Sequence, residues 1–177
     1  GALLSITNKK KYSSKTIFRK DPLKFFHKIS SIFRKSSDTN IISITGSSGK
    51  TSVKELTGFC LNKFGKTYFS KKSFNNKYGV PLSIFNTPEQ SKFAVLEVGM
   101  NKKGEINSLT KLIRPDIGLI TNISYAHIQN FKNLNQIAEA KGEIINNITP
   151  NGTMIINMDD KYYKYFLKKT TKNGLKS

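Results

Sequence analysis

A short β-branched run at residues 41–45, Ile41-Ile42-Ser43-Ile44-Thr45, ends directly on Gly46-Ser47-Ser48-Gly49-Lys50-Thr51, and apolar residues at helical spacing begin at Val53. Strand, glycine-rich turn and helix in that order constrain the fold more than any other feature of the chain. The run suits a buried strand. Glycines let backbone N–H groups curl around phosphate oxygens, and the N-terminus of the following helix adds a favourable dipole. Lys50 is placed to reach β- and γ-phosphates, and the Thr51 hydroxyl to hold Mg²⁺. The common form of this loop has a glycine five residues before its second one. Ile44 occupies that position here, so the loop is shortened. A Gly/Ser turn without a ligand is the bland alternative, and the strand before and helix after it argue against that.

The same alternation continues downstream. Helices are expected at 22–34 (Asp21-Pro22 as N-cap and first turn), at 53–64 closed by Gly65, at 104–113 before Pro115, and at 134–148. Strands are expected at 67–69, 93–98, 117–121 and 153–157. The fold class is therefore α/β, a mostly parallel sheet flanked by helices on both faces. Ligands of such sheets bind at the carboxyl ends of the strands. Cys60 falls on the apolar stripe Val53, Leu56, Cys60, Leu61, Phe64 and is expected in the core. A single cysteine fits a reducing cytoplasm.

Charge enters because it suggests a competing function. Thirty Lys+Arg against 11 Asp+Glu give +19, which invites a nucleic-acid partner. Its distribution argues otherwise. Residues 1–38 hold ten basic and two acidic residues, and 161–177 hold six basic and none acidic. Most of the excess thus lies outside the motifs. No apolar run approaches the ~18 residues that span a bilayer.

Several residues fall at strand ends. Glu97 closes an otherwise apolar strand, where a carboxylate is costly unless paired or metal-bound; beside Thr51 it would complete a magnesium site. A solvated strand end is the alternative. Asn122 and His127 follow the fourth strand, and a lone histidine is as often structural as a ligand. Lys141 lies on a helical segment where most lysines are solvated. Asn157-Met158-Asp159-Asp160 ends the fifth strand, with a helix cap by Asp159 or Asp160 as the plain reading.

Together these segments, over about 41–160, resemble the central domain of the Mur ligase superfamily. Thr45-Gly46-Ser47-Ser48-Gly49-Lys50-Thr51-Ser52 resembles that family's own shortened loop. Asn75-Asn76-Lys77-Tyr78-Gly79-Val80-Pro81-Leu82, Leu96-Glu97-Val98-Gly99-Met100-Asn101 with Gly104-Glu105-Ile106, and the stretch 138–144 narrow it to one branch. That branch joins D-alanyl-D-alanine to a UDP-N-acetylmuramoyl-tripeptide in peptidoglycan precursor synthesis. Other branches usually carry Asp before the histidine; here Ala126 precedes His127.

The resemblance implies roles. Gly46, Ser47, Ser48, Gly49, Lys50, Thr51 and Ser52 would hold ATP phosphates, with Thr51 on a first Mg²⁺. Glu97 and His127 would hold a second, Lys141 would be carbamylated, and Asn157 would contact adenine. Asn75, Asn76 and Asn122 would line the site. The implied reaction passes through an acyl phosphate. A cytoplasmic monomer is implied, with no nucleic-acid partner and no integral membrane segment. Residues 1–38 are expected to be the end of an N-terminal substrate domain plus a connecting helix. Residues 39–177 are expected to be a truncated ATP-binding domain, without the C-terminal domain and with little ligase activity of its own. A folylpolyglutamate synthase-like ligase and a basic nucleic-acid-binding ATPase are the rival readings.

Overall fold

Ile41, Ile42 and Ile44 are almost wholly buried because the strand that carries them lies at the centre of a sheet with apolar layers on both sides. The computed structural model describes residues 5–9, 15–70, 73–125 and 130–177. The strands are β1 (Ser5–Thr7), β2 (Thr16–Phe18), β3 (Asn40–Thr45), β4 (Thr67–Phe69), β5 (Phe93–Glu97), β6 (Ile117–Ile120) and β7 (Thr153–Ile156). The helices are α1 (Pro22–Lys35), α2 (Lys50–Leu61), α3 (Gly79–Phe85), α4 (Glu105–Ile113), α5 (Leu134–Lys141) and α6 (Tyr163–Lys172). β1 and β2 form a small parallel pair. The other five strands form one parallel sheet in the order β4-β5-β3-β6-β7.

Strand alternation sorts the core into two layers. Ile41, Ala94, Leu96, Ile120 and Met154 face α3, α4, α5 and α6, where Val80, Ile106, Ile113, Ile137, Ile144 and Phe166 pack. Ile42, Ile44 and Val95 face the other way, with Val53, Leu61, Phe69 and Leu119 around them. On that second face α2 packs on β4, β5 and β3, while Ile155 on β7 is 47% exposed. Among the described residues helices thus flank both faces of the sheet, with Ile155 on the edge strand left partly exposed.

Only part of the stripe expected for α2 faces the sheet, where Val53 and Leu61 pack half-buried. Leu56, Phe59 and Phe64 are exposed, and so is Cys60. The buried positions are Lys54 and Gly58. Two contacts set this rotation. Thr51 on the first turn is held to Glu97, and Gly58 lies against Phe69, where an added Cβ would come within 2.5 Å of the ring. The loop and the close approach at glycine outweigh the apolar spacing. Lys54 then points inward, its Nζ donating to Ser70 O at 2.6 Å and lying 3.0 Å from the Glu55 carboxylate.

The segment expected as one helix over 134–148 is α-helical only to Lys141. It tightens into a 3₁₀ turn over Gly142–Asn147. Phe166 sits over Gly142, and the Glu143 side chain accepts from Gly104 N at 2.7 Å and Asn107 N at 2.9 Å, capping α4. Helix α3 has no counterpart in the sequence reading, because Gly79 and Pro81 are poor helix residues. Asn76 Oδ1 starts it by accepting from Tyr78 N and Gly79 N, both at 3.0 Å. No helix among the described residues is long and apolar enough to cross a membrane.

Candidate functional site

The loop after β3 is clipped to the loop after β6. Gly46, at φ +146°, lies so close to β6 that an added Cβ would strike the Thr121 hydroxyl. Gly49, at φ +76°, opens α2 in the left-handed region that favours glycine. Ser47 N donates to Asn122 O at 2.9 Å, and Ser48 N and Oγ donate to Asn122 Oδ1 at 3.2 and 3.1 Å. Thr121 Oγ1 donates to Ser48 O at 2.6 Å, and Ser47 Oγ to Ser124 O at 3.0 Å. Asn122 thus shapes the loop. Ser52 is exposed on the first turn of α2.

Two lysines from distant parts of the chain meet on one carbonyl. Lys50 Nζ donates to Gly46 O at 2.9 Å, and Lys141 Nζ donates to the same oxygen at 2.8 Å. Lys141 is 2% exposed. Burial first, and then repulsion from Lys50, lower its pKa to about 7. A large share of this amine is therefore unprotonated near neutrality.

Phe93, Val95 and Glu97 share the α2 face of β5, which aims Glu97 at the first turn of α2. Glu97 is 1% exposed. Thr51 Oγ1 donates to Glu97 Oε2 at 2.9 Å, and Asn75 Nδ2 donates to Oε1 at 2.7 Å. Asn75 is held in turn by Gly99 N, which donates to its carbonyl at 2.8 Å. The carboxylate expected to be paired or metal-bound is therefore paired.

Asn157 lies at the rim, Nδ2 donating to Thr121 O at 3.1 Å. Asp160 does not simply cap a helix. Its Oδ2 accepts from Ile123 N at 2.6 Å and its Oδ1 from Tyr162 N at 2.8 Å, tying the end of β7 to the loop after β6. His127 and Ala126 lie outside the described residues. Among the described residues no group of three or more His, Cys, Asp or Glu side chains could hold a metal ion. Thr51 and Glu97 do bring two hard oxygen donors together, a set that suits Mg²⁺, which keeps several of its own waters.

Lys50, Lys141, Asn75 and Asn76 line a groove of about 830 Å³ that runs past Gly99 and Met100 to His27 on α1. His27 was not legible as a site residue. It reaches the groove only because α1 packs across α3 and α4, and its Nε2 lies 2.7 Å from Lys77 O.

This sheet, with a shortened glycine loop leading into α2 at the carboxyl end of its central strand, defines a P-loop-type α/β domain. Residues 44–177 match the model of the Mur ligase middle domain, and the chain belongs to that family. It is 43% identical over 141 residues to the UDP-N-acetylmuramoyl-tripeptide–D-alanyl-D-alanine ligase of Buchnera aphidicola, covering 80% of this chain and 31% of that protein. The chain thus spans about a third of the length of the curated relatives it matches. The MurF ligase of Thermotoga maritima, solved in complex with ADP, superposes with a TM-score of 0.87 at 26% identity, covering 99% of this chain and 40% of that one. The folylpolyglutamate synthase of Mycobacterium tuberculosis, also solved with ADP, shares the fold alone: TM-score 0.69 and 15% identity, over 87% of this chain and 44% of that one.

Proposed function

We propose that this chain is the ATP-binding part of a ligase that activates a carboxylate by phosphoryl transfer and links it to an amine. The meeting of Lys50 and Lys141 on Gly46 O, beside the Thr51–Glu97 pair, carries this reading. The substrates we assign are those named for the relatives, a UDP-N-acetylmuramoyl-tripeptide as carboxylate donor and D-alanyl-D-alanine as amine. The 43% identity to such a ligase supports that choice over a folate donor with a glutamate amine.

In this reading the loop over 46–51 holds the ATP phosphates through backbone N–H groups and the dipole of α2. Lys50 leaves Gly46 O for the β- and γ-phosphates and neutralises charge as the γ-phosphoryl group moves. Its transfer to the substrate carboxylate yields an acyl phosphate and ADP. The amine then attacks the acyl carbon and phosphate departs. Thr51 and Glu97 would hold Mg²⁺, which when bound supplies further neutralisation of the phosphate charge. Glu97 and His127 together are the proposed ligands of a second ion. Asn75 orients Glu97, Asn122 fixes the loop, and Asn157 would meet the adenine. Lys141 suits carbamylation: its unprotonated amine can attack carbon dioxide, forming an N–C bond and releasing a proton. Residues 1–38 would close a substrate-gripping domain and connect it to the ATP domain over 39–177. A cytoplasmic monomer fits this reading.

The test is ADP release by the full-length protein. Release should need both substrates and should vanish in Lys50→Ala. Release with a folate as carboxylate donor and glutamate as amine, and none with the UDP-sugar peptide and D-alanyl-D-alanine, would move the assignment to the other branch.

A further inference from the structure

Glu139 and Glu143 stand one helical turn apart and reach the same neighbour, the residues that open α4, while Lys141 between them points the opposite way to Gly46 O. Lys103 Nζ donates to Glu139 Oε2 at 2.8 Å, and both side chains are exposed, so this pair contributes little. Glu143 is the buried member. Its Oε1 accepts from Gly104 N at 2.7 Å and its Oε2 from Asn107 N at 2.9 Å. Gly104 sits before α4 at φ +91° and, as a glycine, has no side chain with which to cap that helix. Its N–H relies instead on a carboxylate 39 positions along the chain. Gly142, between Lys141 and Glu143, is held as well, its carbonyl accepting from Lys169 Nζ at 2.7 Å. The stretch that opens α4 is also the wall of the groove, because residues 99–105 line it together with Lys141. Gly99 N is tied to Asn75 O at 2.8 Å, Asn101 N to Glu105 Oε2 at 2.6 Å, and Gly104 N to Glu143. The last of these bonds joins the wall to the segment that carries Lys141; the first two do not.

We propose that Glu143 is a positioning residue for Lys141: by gripping the start of α4 it locks the end of α5, so that the amine stays seated on Gly46 O at a fixed distance from the wall of the groove. Its bearing on the reaction rests on the ligase reading; the seating of Lys141 does not. Glu143 acts here through geometry. Burial and Lys50 set the state of the Lys141 amine, and burial lasts only while the segment stays in place. The ties of the phosphate loop run elsewhere, to Thr121, Asn122 and Ser124, so ATP binding should not depend on Glu143.

Acetylation of the 177-residue chain by acetic anhydride in bicarbonate-free buffer, read lysine by lysine by mass spectrometry, tests the seating. Lys54, fully buried on α2 at the other face of the sheet, is the control for general unfolding. Glu143→Ala should speed labelling of Lys141 about tenfold or more and leave Lys54 slow. Asn147→Ala removes bonds to the same helix, at Asn107 O, Asn107 Oδ1 and Thr110 Oγ1, and should leave both lysines slow. In the full-length enzyme Glu143→Ala should lower kcat for ADP release by about tenfold to a hundredfold, with the KM for ATP within about twofold. Glu143→Gln keeps one acceptor and should recover much of that loss, and Asn147→Ala should keep kcat. Labelling of Lys141 no faster than in the unaltered chain, equal acceleration at Lys54, or the same behaviour in Asn147→Ala would overturn the proposal, leaving Glu143 a plain helix cap. So would a raised KM for ATP at unchanged kcat. Failure of the ligase reading would show separately, as no ADP release by the unaltered enzyme while Glu143→Ala still frees Lys141.

Discussion

Lys50 and Lys141 are 91 positions apart in the chain, yet both donate to Gly46 O, and each changes what the other can do. Lys50 is the nearer to expectation, since its place in the loop names its role. Lys50→Ala should abolish ATP binding while leaving the melting temperature of the free protein within a few degrees. Saturating ATP at a hundred times Kd stabilises a protein by about 2.7 kcal/mol, roughly 5–10 °C for a chain of this size. The variant should show none of that shift, and ATP affinity unchanged by the substitution would count against the whole reading. Lys141 makes a different prediction. With its pKa lowered from 10.5 to about 7, it is protonated in both the folded and unfolded chain below that range, and the burial penalty is then complete. Between these values the unfolded chain holds more protons, so stability rises with pH. In bicarbonate-free buffer the unaltered chain should gain on Lys141→Met from pH 7 to 10 in denaturant titrations. Parallel curves for the two would show that the amine titrates as an ordinary lysine.

At the scale of elements, helix α2 separates what spacing can say from what packing decides. Its existence was readable, and its buried face only in part. Gly58 allows the helix to approach Phe69, so Gly58→Ala should destabilise by about 1–3 kcal/mol through overpacking, even though alanine is the better helix former. Phe64→Ala, at a position 70% exposed, should change stability by less than about 0.5 kcal/mol. Urea unfolding of both variants checks the phase directly; the opposite ranking would restore the apolar stripe. The 3₁₀ turn after Lys141 follows the same logic. Apolar residues at 144, 145 and 148 continue a helical pattern, but Glu143 is drawn to the start of α4 and Phe166 packs over Gly142. Local periodicity could not anticipate either contact.

For the molecule as a whole, Arg34 is the tie between α1 and the sheet. Its Nε donates to Ile113 O at 2.8 Å, and its two terminal nitrogens donate to Ser37 O at 3.0 Å, Arg114 O at 3.1 Å and Asp116 Oδ2 at 3.1 Å. Asp116 Oδ2 also accepts from Ile41 N at 2.7 Å, at the start of the central strand. Burial lowers the Arg34 pKa, and Asp116 opposes that shift. Arg34→Met keeps the stem and removes all four bonds from the guanidinium, so it should cost about 2–4 kcal/mol, read as a fall in the denaturation midpoint at unchanged slope. Loss of α1 alone, with the rest intact, would appear as a reduced slope instead.

Sequence by itself determined the five strands of the main sheet, several of the helices between them, their parallel arrangement and the shortened loop, because each is written in local spacing and in glycines that follow a strand. It also marked Glu97 as a carboxylate in need of a partner, since burying such a group in an apolar strand is costly. Tertiary structure alone decided that Asn75 joins Thr51 as a partner, that Lys141 is buried against Gly46, that Leu56 on α2 and Phe64 just after it turn outward, and that α1 brings His27 to the groove. Those outcomes depend on which surfaces meet when distant segments pack. A sheet with one strand order and one register admits only some rotations of the helices laid on it.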